Sequence, residues 1–385
     1  MEKVPKSLPN VKKTDETSTD EFKENSSETR SEKARLAWIV VLAFLLLASF
    51  GVIIWLIFSG RADQKIHGDN LSIFMSEKSP EDSEDDSSEI DRGIVVNDTE
   101  IDLTNYDSNI TITASGEHVL TGILNYSVLV DSDGPVSLAL NGVTISSSET
   151  AAIINFSENP LEVILAENST NTITDGGDSA YNSALFSNGP LAISARGDEK
   201  TLGSLIVSGR QADGEGIATK NADLTIKSGK IMINSNSVGL TAGGDNGTVV
   251  VESGILWVKA GGEGIFANKS IKINGGNLLI MSTAKEYSAL DSDESIINGG
   301  NVVALAFDTS EVSTESSAQK SLSVELTETV PAGSTVYVKN LSTNKVVNFK
   351  TETEFRTLVF STSSVETGDY EISIDGRTIG TGVVK

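Results

Sequence analysis

A pair made of a small residue and a following Ile or Leu recurs along the chain. The pairs are Ala152-Ile153, Ala184-Leu185, Gly216-Ile217, Gly239-Leu240, Gly264-Ile265 and Ala289-Leu290, at intervals of 32, 32, 23, 25 and 25 residues. A period in the twenties is typical of a solenoid, in which each unit buries its apolar face only by stacking on its neighbours. The repeat therefore predicts a solenoid with one continuous core.

Glycines mark the same repeat a second time. Four segments superimpose on Gly229, Gly254, Gly276 and Gly300, at intervals of 25, 22 and 24 residues. Each segment reads as strand, glycine turn, strand, polar loop and a short strand at the small-Ile/Leu pair. Three short strands per unit predict one coil of a parallel β-helix, with the Ile and Leu residues stacked in an interior column about 24 Å tall. A β-sandwich or a propeller requires other periods.

An apolar run precedes the repeats. Leu36 to Phe58 contains 23 residues without a charge, with Trp38 and Trp55 near its ends. This pattern predicts a transmembrane helix. The alternative, a cleaved signal peptide, has a shorter apolar run and a small-residue cleavage site, which does not follow here.

The distribution of charge favours a location outside the cell. Residues 1–58 carry eight Lys+Arg and eight Asp+Glu, so the net charge of −25 belongs to the chain after the span. The positive-inside rule favours a cytoplasmic N-terminus only slightly. An acidic β protein rich in Gly, Ser, Thr and Asn suits the outer face of a cell. We therefore expect a single-pass protein of the cell membrane with an extracellular β-helix.

Composition divides the chain into six segments. They are a disordered cytoplasmic tail (1–35), a transmembrane helix (36–58), an acidic linker (59–98), the parallel β-helix (99–307), a second linker (308–322) and a C-terminal β unit (323–385). The last segment alternates apolar and polar residues between turn signals, which is typical of antiparallel strands. We expect it to cap the open end of the solenoid, where an exposed edge would otherwise promote aggregation.

Several kinds of chemistry are excluded by composition. The chain has no cysteine, so it has no disulfide, thiolate nucleophile or Cys-ligated metal. With His67 and His118 as the only histidines, neither a Ser-His-Asp triad nor a multi-His zinc site is expected. Strong net acidity argues against nucleic acid, which requires clustered Lys and Arg. An acidic surface can hold hard cations through oxygen ligands.

The order of the motifs resembles a known family. A lead-in "T-I-T…G…V-L-x-G" spans Ile110 to Gly122, "L-x-L-N-G-V-x-I-x-S" spans Leu138 to Ser147, and "G-[DE]-G-I" units follow. Together they resemble the bacterial carbohydrate-binding domain proteins of the right-handed β-helix class, relatives in fold of the pectate lyases, over residues 99–383. The resemblance implies a calcium-binding and polysaccharide-binding surface protein without established catalytic activity.

The resemblance also suggests metal ligands. The family's "GDGI" turn matches Asp213 to Ile217 and Gly262 to Ile265, with Glu where Asp is usual, whereas the coil at Gly239 lacks the acid. Calcium binds six to eight oxygens, and stacked turns bring residues of successive coils side by side. The candidates are Asp213, Glu215 and Glu263 on one corner, and Asp245, Asp291 and Asp293 on the turn after the apolar column. The alternative is that these acids are solvated and cap their own turns.

Four residues are candidates for sugar contact. Trp257 is the only tryptophan after the span, and alternation predicts that Phe266 points outward beside Ile265. Lys220 and Lys269 end equivalent units and are expected two coils apart on one side of the helix. The alternatives are that the rings pack against a loop or the C-terminal unit, and that the lysines are ordinary surface residues.

Three functions remain open at this stage. The first is a membrane-tethered, non-catalytic module that binds polysaccharide, the second a structural or adhesion solenoid, and the third a polysaccharide lyase or hydrolase. Carboxylates converging beneath an exposed aromatic ring would favour the first. A smooth Ser/Thr/Asn face would favour the second, and a groove with Lys or Arg beside acids the third. We expect the first, and not an enzyme.

Overall fold

The structure is a computed structural model that describes residues 90–176 and 181–385. These residues belong to one compact unit, Asp82–Lys385. The predicted tail, the predicted transmembrane helix and most of the acidic linker lie outside the described residues. Within the described ranges no helix is long and apolar enough to cross a membrane.

The regular secondary structure of the described residues is almost entirely β-strand. The first part contains β1 Ile94–Val95, β2 Glu100–Asp102, β3 Ile110–Ile112, β4 Gly116–Thr121, β5 Ile123–Leu124, β6 Val128–Val130, β7 Val136–Leu140, β8 Thr144–Ser146, β9 Ile153–Asn155, β10 Leu161–Leu165, β11 Thr170–Thr174, β12 Ser183–Ser187, β13 Leu191–Ala195, β14 Ser204–Gly209 and β15 Glu215–Thr219. The second part contains β16 Leu224–Ile226, β17 Lys230–Ser235, β18 Leu240–Ala242, β19 Thr248–Val251, β20 Ile255–Ala260, β21 Ile265–Ile273, β22 Asn277–Ser282, β23 Leu290–Ile297 and β24 Asn301–Ala306. The last part contains β25 Ser321–Val330, β26 Thr335–Asn340, β27 Val346–Lys350, β28 Phe355–Ser361, β29 Gly368–Ile374 and β30 Arg377–Val384. A 3-10 turn, Leu103–Asn105, follows β2.

Each strand of a coil pairs in parallel with the corresponding strand of the next coil, which gives the solenoid three faces. The first face runs β1-β3-β6-β9-β12-β15-β18-β21, the second β2-β4-β7-β10-β13-β16-β19-β21, and the third β5-β8-β11-β14-β17-β20-β22-β24. The long strand β21 pairs with both β18 and β19, and β23 pairs along it with an irregularity between Ala267 and Ser270, so the first two faces form one 16-stranded sheet. This pairing agrees with the predicted β-helix solenoid.

The interior column forms as the repeat predicts. Ile153 pairs with Leu185, and the pairing continues through Ile217, Leu240, Ile265 and Leu290, each at most 2% exposed. The residue before each must be small because coils touch there. A Cβ on Gly239 would collide with Val258 Cγ1 and with the carbonyl oxygen of Gly264. The small-Ile/Leu pair is therefore a packing requirement of each coil.

The four aligned glycines make the predicted turns into the third face. Their φ angles are 125°, 101°, 96° and 90° for Gly229, Gly254, Gly276 and Gly300, a region that residues with a Cβ rarely adopt. A Cβ on Gly254 would also lie 2.6 Å from the carbonyl oxygen of Gly229 in the preceding coil. Conformation and stacking both select glycine at this position.

The C-terminal strands extend the solenoid and add a second sheet. β28 pairs antiparallel with β24, and β25 pairs with β28, so the third face ends in two antiparallel strands. A separate antiparallel sheet has the order β27-β26-β29-β30. An apolar group that we call the C-terminal cluster joins them; it includes Met281, Leu305, Leu322, Phe355, Leu358 and Ile372. These strands cover the free edge of β24.

Candidate functional site

The turn that leaves the first face places four residues in line. Val130, Asn155, Ser187 and Thr219 pair in register at the ends of successive strands. The backbone ladder continues one residue further, because Phe156 N donates to Val130 O at 2.8 Å, Asn188 N to Asn155 O at 2.9 Å and Lys220 N to Ser187 O at 2.9 Å. We call the residues that follow the turn column: Asp131, Phe156, Asn188 and Lys220. With coils about 4.8 Å apart, the turn column is about 14 Å long.

All four residues of the turn column line a groove of about 630 Å³. The other residues that line the groove are Arg92, Glu158, Tyr181, Gly189, Pro190, Asn221 and Ala222. The groove thus receives residues from four successive turns, from the segment that precedes β1 and, through Tyr181, from the end of the loop before β12.

The turns lie close against one another because of glycine. A Cβ on Gly189 would lie 2.5 Å from the carbonyl oxygens of Glu158 and Asn159 in the coil before it. Pro190 then precedes β13, as Pro160 precedes β10. Proline has a fixed φ and no N–H, so it suits the entry to a strand at a turn. These local choices hold the residues of the turn column at a constant spacing.

An aromatic cluster packs beside the groove. The Tyr181 ring meets Phe156 edge-on at 5.5 Å and Phe186 at 4.9 Å between ring centroids. The rings cover Leu129 and Ile154, which project outward from the first face. Since Tyr181 is only 8% exposed, it supports the groove wall and offers little ring face for stacking.

Arg92 is fixed over this cluster. Its guanidinium carbon lies 3.7 Å from the centroid of the Phe156 ring, a cation–π contact. Its Nη1 lies 3.4 Å from Asp131 Oδ2, within ion-pair distance. The alignment does not meet hydrogen-bond geometry, however, so the buried Nη1 has no hydrogen-bond acceptor among the described residues. The main chain is held as well, because the Thr111 hydroxyl donates to Arg92 O.

Asn188 carries a buried hydrogen-bond acceptor, which complements the buried donor of Arg92. Its Nδ2 donates to the carbonyl oxygen of Phe156 at 2.9 Å, and this fixes the orientation of the amide because a carbonyl only accepts. Its Oδ1 is buried and receives no hydrogen bond from the described part of the chain. A buried polar atom without a partner costs about 1–3 kcal/mol, and most such atoms in native proteins are satisfied by a protein group or an ordered water. The groove therefore offers one unused donor and one unused acceptor.

The charges of the groove balance. Arg92 and Asp131 form an ion pair. Lys220 and Glu158 are exposed, and neither forms an ion pair with any residue that the structure describes. Two cations and two anions leave the groove locally neutral, unlike the strongly acidic protein as a whole.

Four of the six predicted calcium ligands lie at another part of the first face, in its strands or in the turns just before them. We call these four the acidic corner: Asp213, Glu215, Glu263 and Asp291. The pKa of Glu215 is raised to about 7, mainly by burial and in smaller part by the charges of Asp213 and Glu263. The Thr241 hydroxyl acts in the opposite direction, although it is not aligned well enough to make a hydrogen bond. Burial and the charge of Asp291 raise the pKa of Glu263. These carboxylates repel one another.

Phe266 stands within the acidic corner. It pairs with Thr241 on one side and Asp291 on the other, is half-buried and alternates with the inward-facing Ile265 and Ala267, as predicted. Asp245 is exposed; Asp293 is also exposed and lies with Asp291 inside strand β23, not in a loop. Across residues 90–176 and 181–385, no three His, Cys, Asp or Glu side chains gather closely enough to hold a metal ion. The calcium site stays a prediction.

Of the four residues predicted to contact sugar, only Lys220 lines the groove. Trp257 lies on the third face between Met232 and Leu279, where it packs half-buried against the C-terminal cluster. Lys269 is exposed on β21, two coils along from Lys220. The structure thus places Trp257 on a different face from the other three candidates, whereas Phe266 and Lys269 share strand β21.

Sequence reasoning missed Arg92, Phe156 and Asn188. A signal for two of them was present, because the turns DSDGP (Asp131–Pro135), FSENP (Phe156–Pro160) and NGP (Asn188–Pro190) each end in a proline before the next strand. Aligning these turns places Asp131, Phe156 and Asn188 in one column. Arg92 has no such signal, since it precedes the repeats and reaches the groove only through tertiary packing.

Comparison with known proteins identifies the family of the chain. A solved structure, of the polysaccharide lyase-like protein from C. thermocellum as a gadolinium derivative, is similar with 24% identity and a TM-score of 0.40, over 51% of this chain and 79% of that one. No curated protein matches the sequence. The model of the family described as carbohydrate-binding domain-containing protein matches residues 106–356, more than half of the chain. The chain therefore belongs to the family of carbohydrate-binding domain-containing proteins.

Proposed function

We propose that the protein is a membrane-anchored, extracellular and non-catalytic polysaccharide-binding protein, and that the groove beside the turn column is its binding site. One observation carries the choice of site. Arg92 and Asn188 both line the groove, and each carries one buried atom without a hydrogen-bond partner among the described residues, Nη1 and Oδ1 respectively. A sugar hydroxyl both donates and accepts, so it satisfies an unused acceptor and an unused donor together.

The charge of the groove favours an uncharged polysaccharide. Arg92 is already paired with Asp131, so Lys220 is the single groove cation without an ion-pair partner among the described residues, and Glu158 offsets it. The net charge of −25 adds a repulsive field for polyanions, which salt screens over about 8 Å at physiological ionic strength. A polysaccharide with hydroxyl groups and no carboxylates therefore matches the charge of the groove better than an acidic polysaccharide does.

A binding screen with matched variants tests this function. The full-length protein in detergent is run by affinity electrophoresis through soluble xylan, galactomannan, mixed-linkage β-glucan and polygalacturonate. Asn188→Ala should weaken binding to the neutral ligand about tenfold, because it removes the unused acceptor. Asn236→Ala is the control, since the Asn236 amide also donates to a main-chain carbonyl of the preceding coil, at Arg210, but lies outside the groove. Equal binding by both variants, or no binding to any polymer, refutes the proposal.

The non-catalytic proposal rests on the carboxylates of the groove. Glycoside hydrolysis requires two cooperating carboxylates. Asp131 is ion-paired with Arg92, which leaves Glu158 as the one unpaired acid among the described residues that line the groove. The groove nevertheless holds Arg92 and Lys220 beside Asp131 and Glu158. A groove with cations beside acids favours a polysaccharide lyase or hydrolase, which is therefore the second candidate function. Overnight incubation with each polymer should release no reducing ends and no unsaturated sugars, and release of either would establish catalysis.

We propose calcium as a further ligand at the acidic corner. The support is the mutual repulsion of Glu215, Asp213 and Glu263, which a divalent cation with oxygen ligands would offset. Millimolar calcium should then raise the melting temperature of the full-length protein more than magnesium does. A melting temperature that responds neither to calcium nor to a chelator contradicts this proposal.

Membrane anchoring and orientation are supported by the apolar run Leu36–Phe58 and by the acidic chain that follows it. Because the natural chain has no cysteine, single cysteines report position cleanly. On intact cells, a membrane-impermeant maleimide should label Thr343→Cys, at an exposed turn, and should not label Ser18→Cys in the tail. The reverse pattern would overturn the proposed orientation.

A further inference from the structure

The shape of the groove bears on which part of a polysaccharide it holds. We infer that the site takes an internal segment of an extended polysaccharide chain lying parallel to the solenoid axis, an inference that rests on the proposed function. The residues of the turn column come from four successive coils and follow one another in register. Their line, about 14 Å long, therefore runs along the axis and not around a coil.

The turn column remains open at its first end. Asp131 N donates to Ile112 O at 2.9 Å, so the residue one coil earlier is Thr113. Thr113 is exposed, and its hydroxyl accepts a hydrogen bond from Asn97 Nδ2 at 2.9 Å. Thr113 is short, and the residue one coil before it is the exposed Asn97, so a bound chain can continue past Asp131.

The turn column is also open at its second end. Gly243 N donates to Thr219 O at 2.9 Å, so Gly243 is the residue one coil after Lys220. A Cβ on Gly243 would collide with the carbonyl oxygen of Lys220. Close stacking of the coils therefore requires a residue without a side chain at this point. A groove open at both ends fits the middle of a chain better than its terminus.

The polar groups are distributed along the groove and not gathered at one point. The ion pair of Arg92 with Asp131 lies at one end, the unused oxygen of Asn188 further along, and the Lys220 ammonium at the other end. A pyranose unit is comparable in length to the coil spacing of about 4.8 Å, so successive sugars would meet successive coils. Affinity should therefore rise with chain length and stop rising once the chain spans the column.

A chain-length series tests the inference. Isothermal titration of the full-length protein is performed with β-1,4-linked gluco-, manno- and xylo-oligosaccharides of one to six units. For the series that binds, affinity should increase at least tenfold from one unit to three or four and less than twofold from four to six. A monosaccharide that binds as tightly as the hexasaccharide overturns the inference while leaving the proposed function intact. If no oligosaccharide and no polymer binds, both the inference and the proposed function are refuted.

Two further measurements separate internal binding from end recognition. Sedimentation with a long neutral polymer should show many protein molecules per chain, whereas recognition of chain ends gives at most two. Thr113→Trp places a bulky side chain in line with the column at an exposed position; it should weaken polymer binding about tenfold and change trisaccharide affinity less than twofold. Thr343→Trp, at an exposed turn elsewhere, is the control. Unchanged polymer binding by Thr113→Trp, or two proteins per polymer, contradicts the inference.

Discussion

Shortening Leu240 to Ala should destabilise the solenoid far more than the same change at Leu341. Leu240 is fully buried in the interior column, paired with Ile217 in one neighbouring coil and Ile265 in the other. The lost transfer of about three carbon atoms costs about 2 kcal/mol. The cavity adds to this because the coils cannot close further: Leu240 N already donates to the carbonyl oxygen of Gly264 in the next coil at 3.2 Å. We expect a total loss of about 3–4 kcal/mol, within the usual range for buried leucines.

The measurement is urea-induced unfolding of the full-length protein, followed by circular dichroism. Leu341→Ala is the matched control, since Leu341 is 45% exposed and its truncation should change the free energy of unfolding by less than about 0.5 kcal/mol. A loss for Leu240→Ala as small as that for Leu341→Ala would refute the interior column as the main source of stability.

Three more predictions follow from the packing and the charges. Because burial raises the folded-state pKa of Glu215 from 4.5 to about 7, the folded state holds this proton more tightly than the unfolded chain. The free energy of unfolding should therefore fall by at most about 3 kcal/mol as the pH rises from 4.5 to 7. Glu215→Gln should reduce this pH dependence, measured by urea titration in the presence of a chelator. An identical pH profile for the variant would exclude Glu215 as the cause. Trp257→Ala should lower the melting temperature by several degrees and leave polysaccharide affinity unchanged, because the ring packs against the C-terminal cluster; a loss of affinity without a loss of stability would return Trp257 to the binding surface. Ending the chain at Asp308 should expose the edge of β24 and cause aggregation, measurable by light scattering, and a monodisperse truncated protein would contradict the capping role of β25 and β28.

The fold was accessible from sequence because its signal repeats. The same pattern of apolar and polar residues occurs around Ile217, Leu240 and Ile265 because these residues occupy the same position in successive coils. The prediction for one coil therefore supports the prediction for the next. The steric reason for glycine before these residues became visible only in the structure, since it depends on contacts with the neighbouring coil.

The candidate site was less accessible because its partners are distant in sequence. Arg92 contacts Phe156 and Asp131, which are distant from it in sequence, and no local sequence pattern predicts such contacts. Trp257 was predicted to contact sugar because it is aromatic, but it packs against strands that lie far along the chain. Periodicity predicts which residues face inward; it does not predict which outward residues another segment will cover.

The C-terminal region shows the same limit in another form. Alternation correctly indicates antiparallel strands after Ser321, yet it does not reveal that β25 and β28 continue the third face while the other four strands form their own sheet. Strand partners are chosen by edge and by burial, here the edge of β24 and the apolar side chains of Leu322 and Leu358. These contacts are not encoded in the alternation of any one strand.

The most direct test is a crystal structure of the protein soaked with a hexasaccharide from the series that binds. Sugar density should run parallel to the solenoid axis from Asp131 to Lys220, with hydroxyl groups within hydrogen-bond distance of Arg92 Nη1 and Asn188 Oδ1. Density across the coils, or at Phe266 and the acidic corner with the groove empty, would contradict the proposed site.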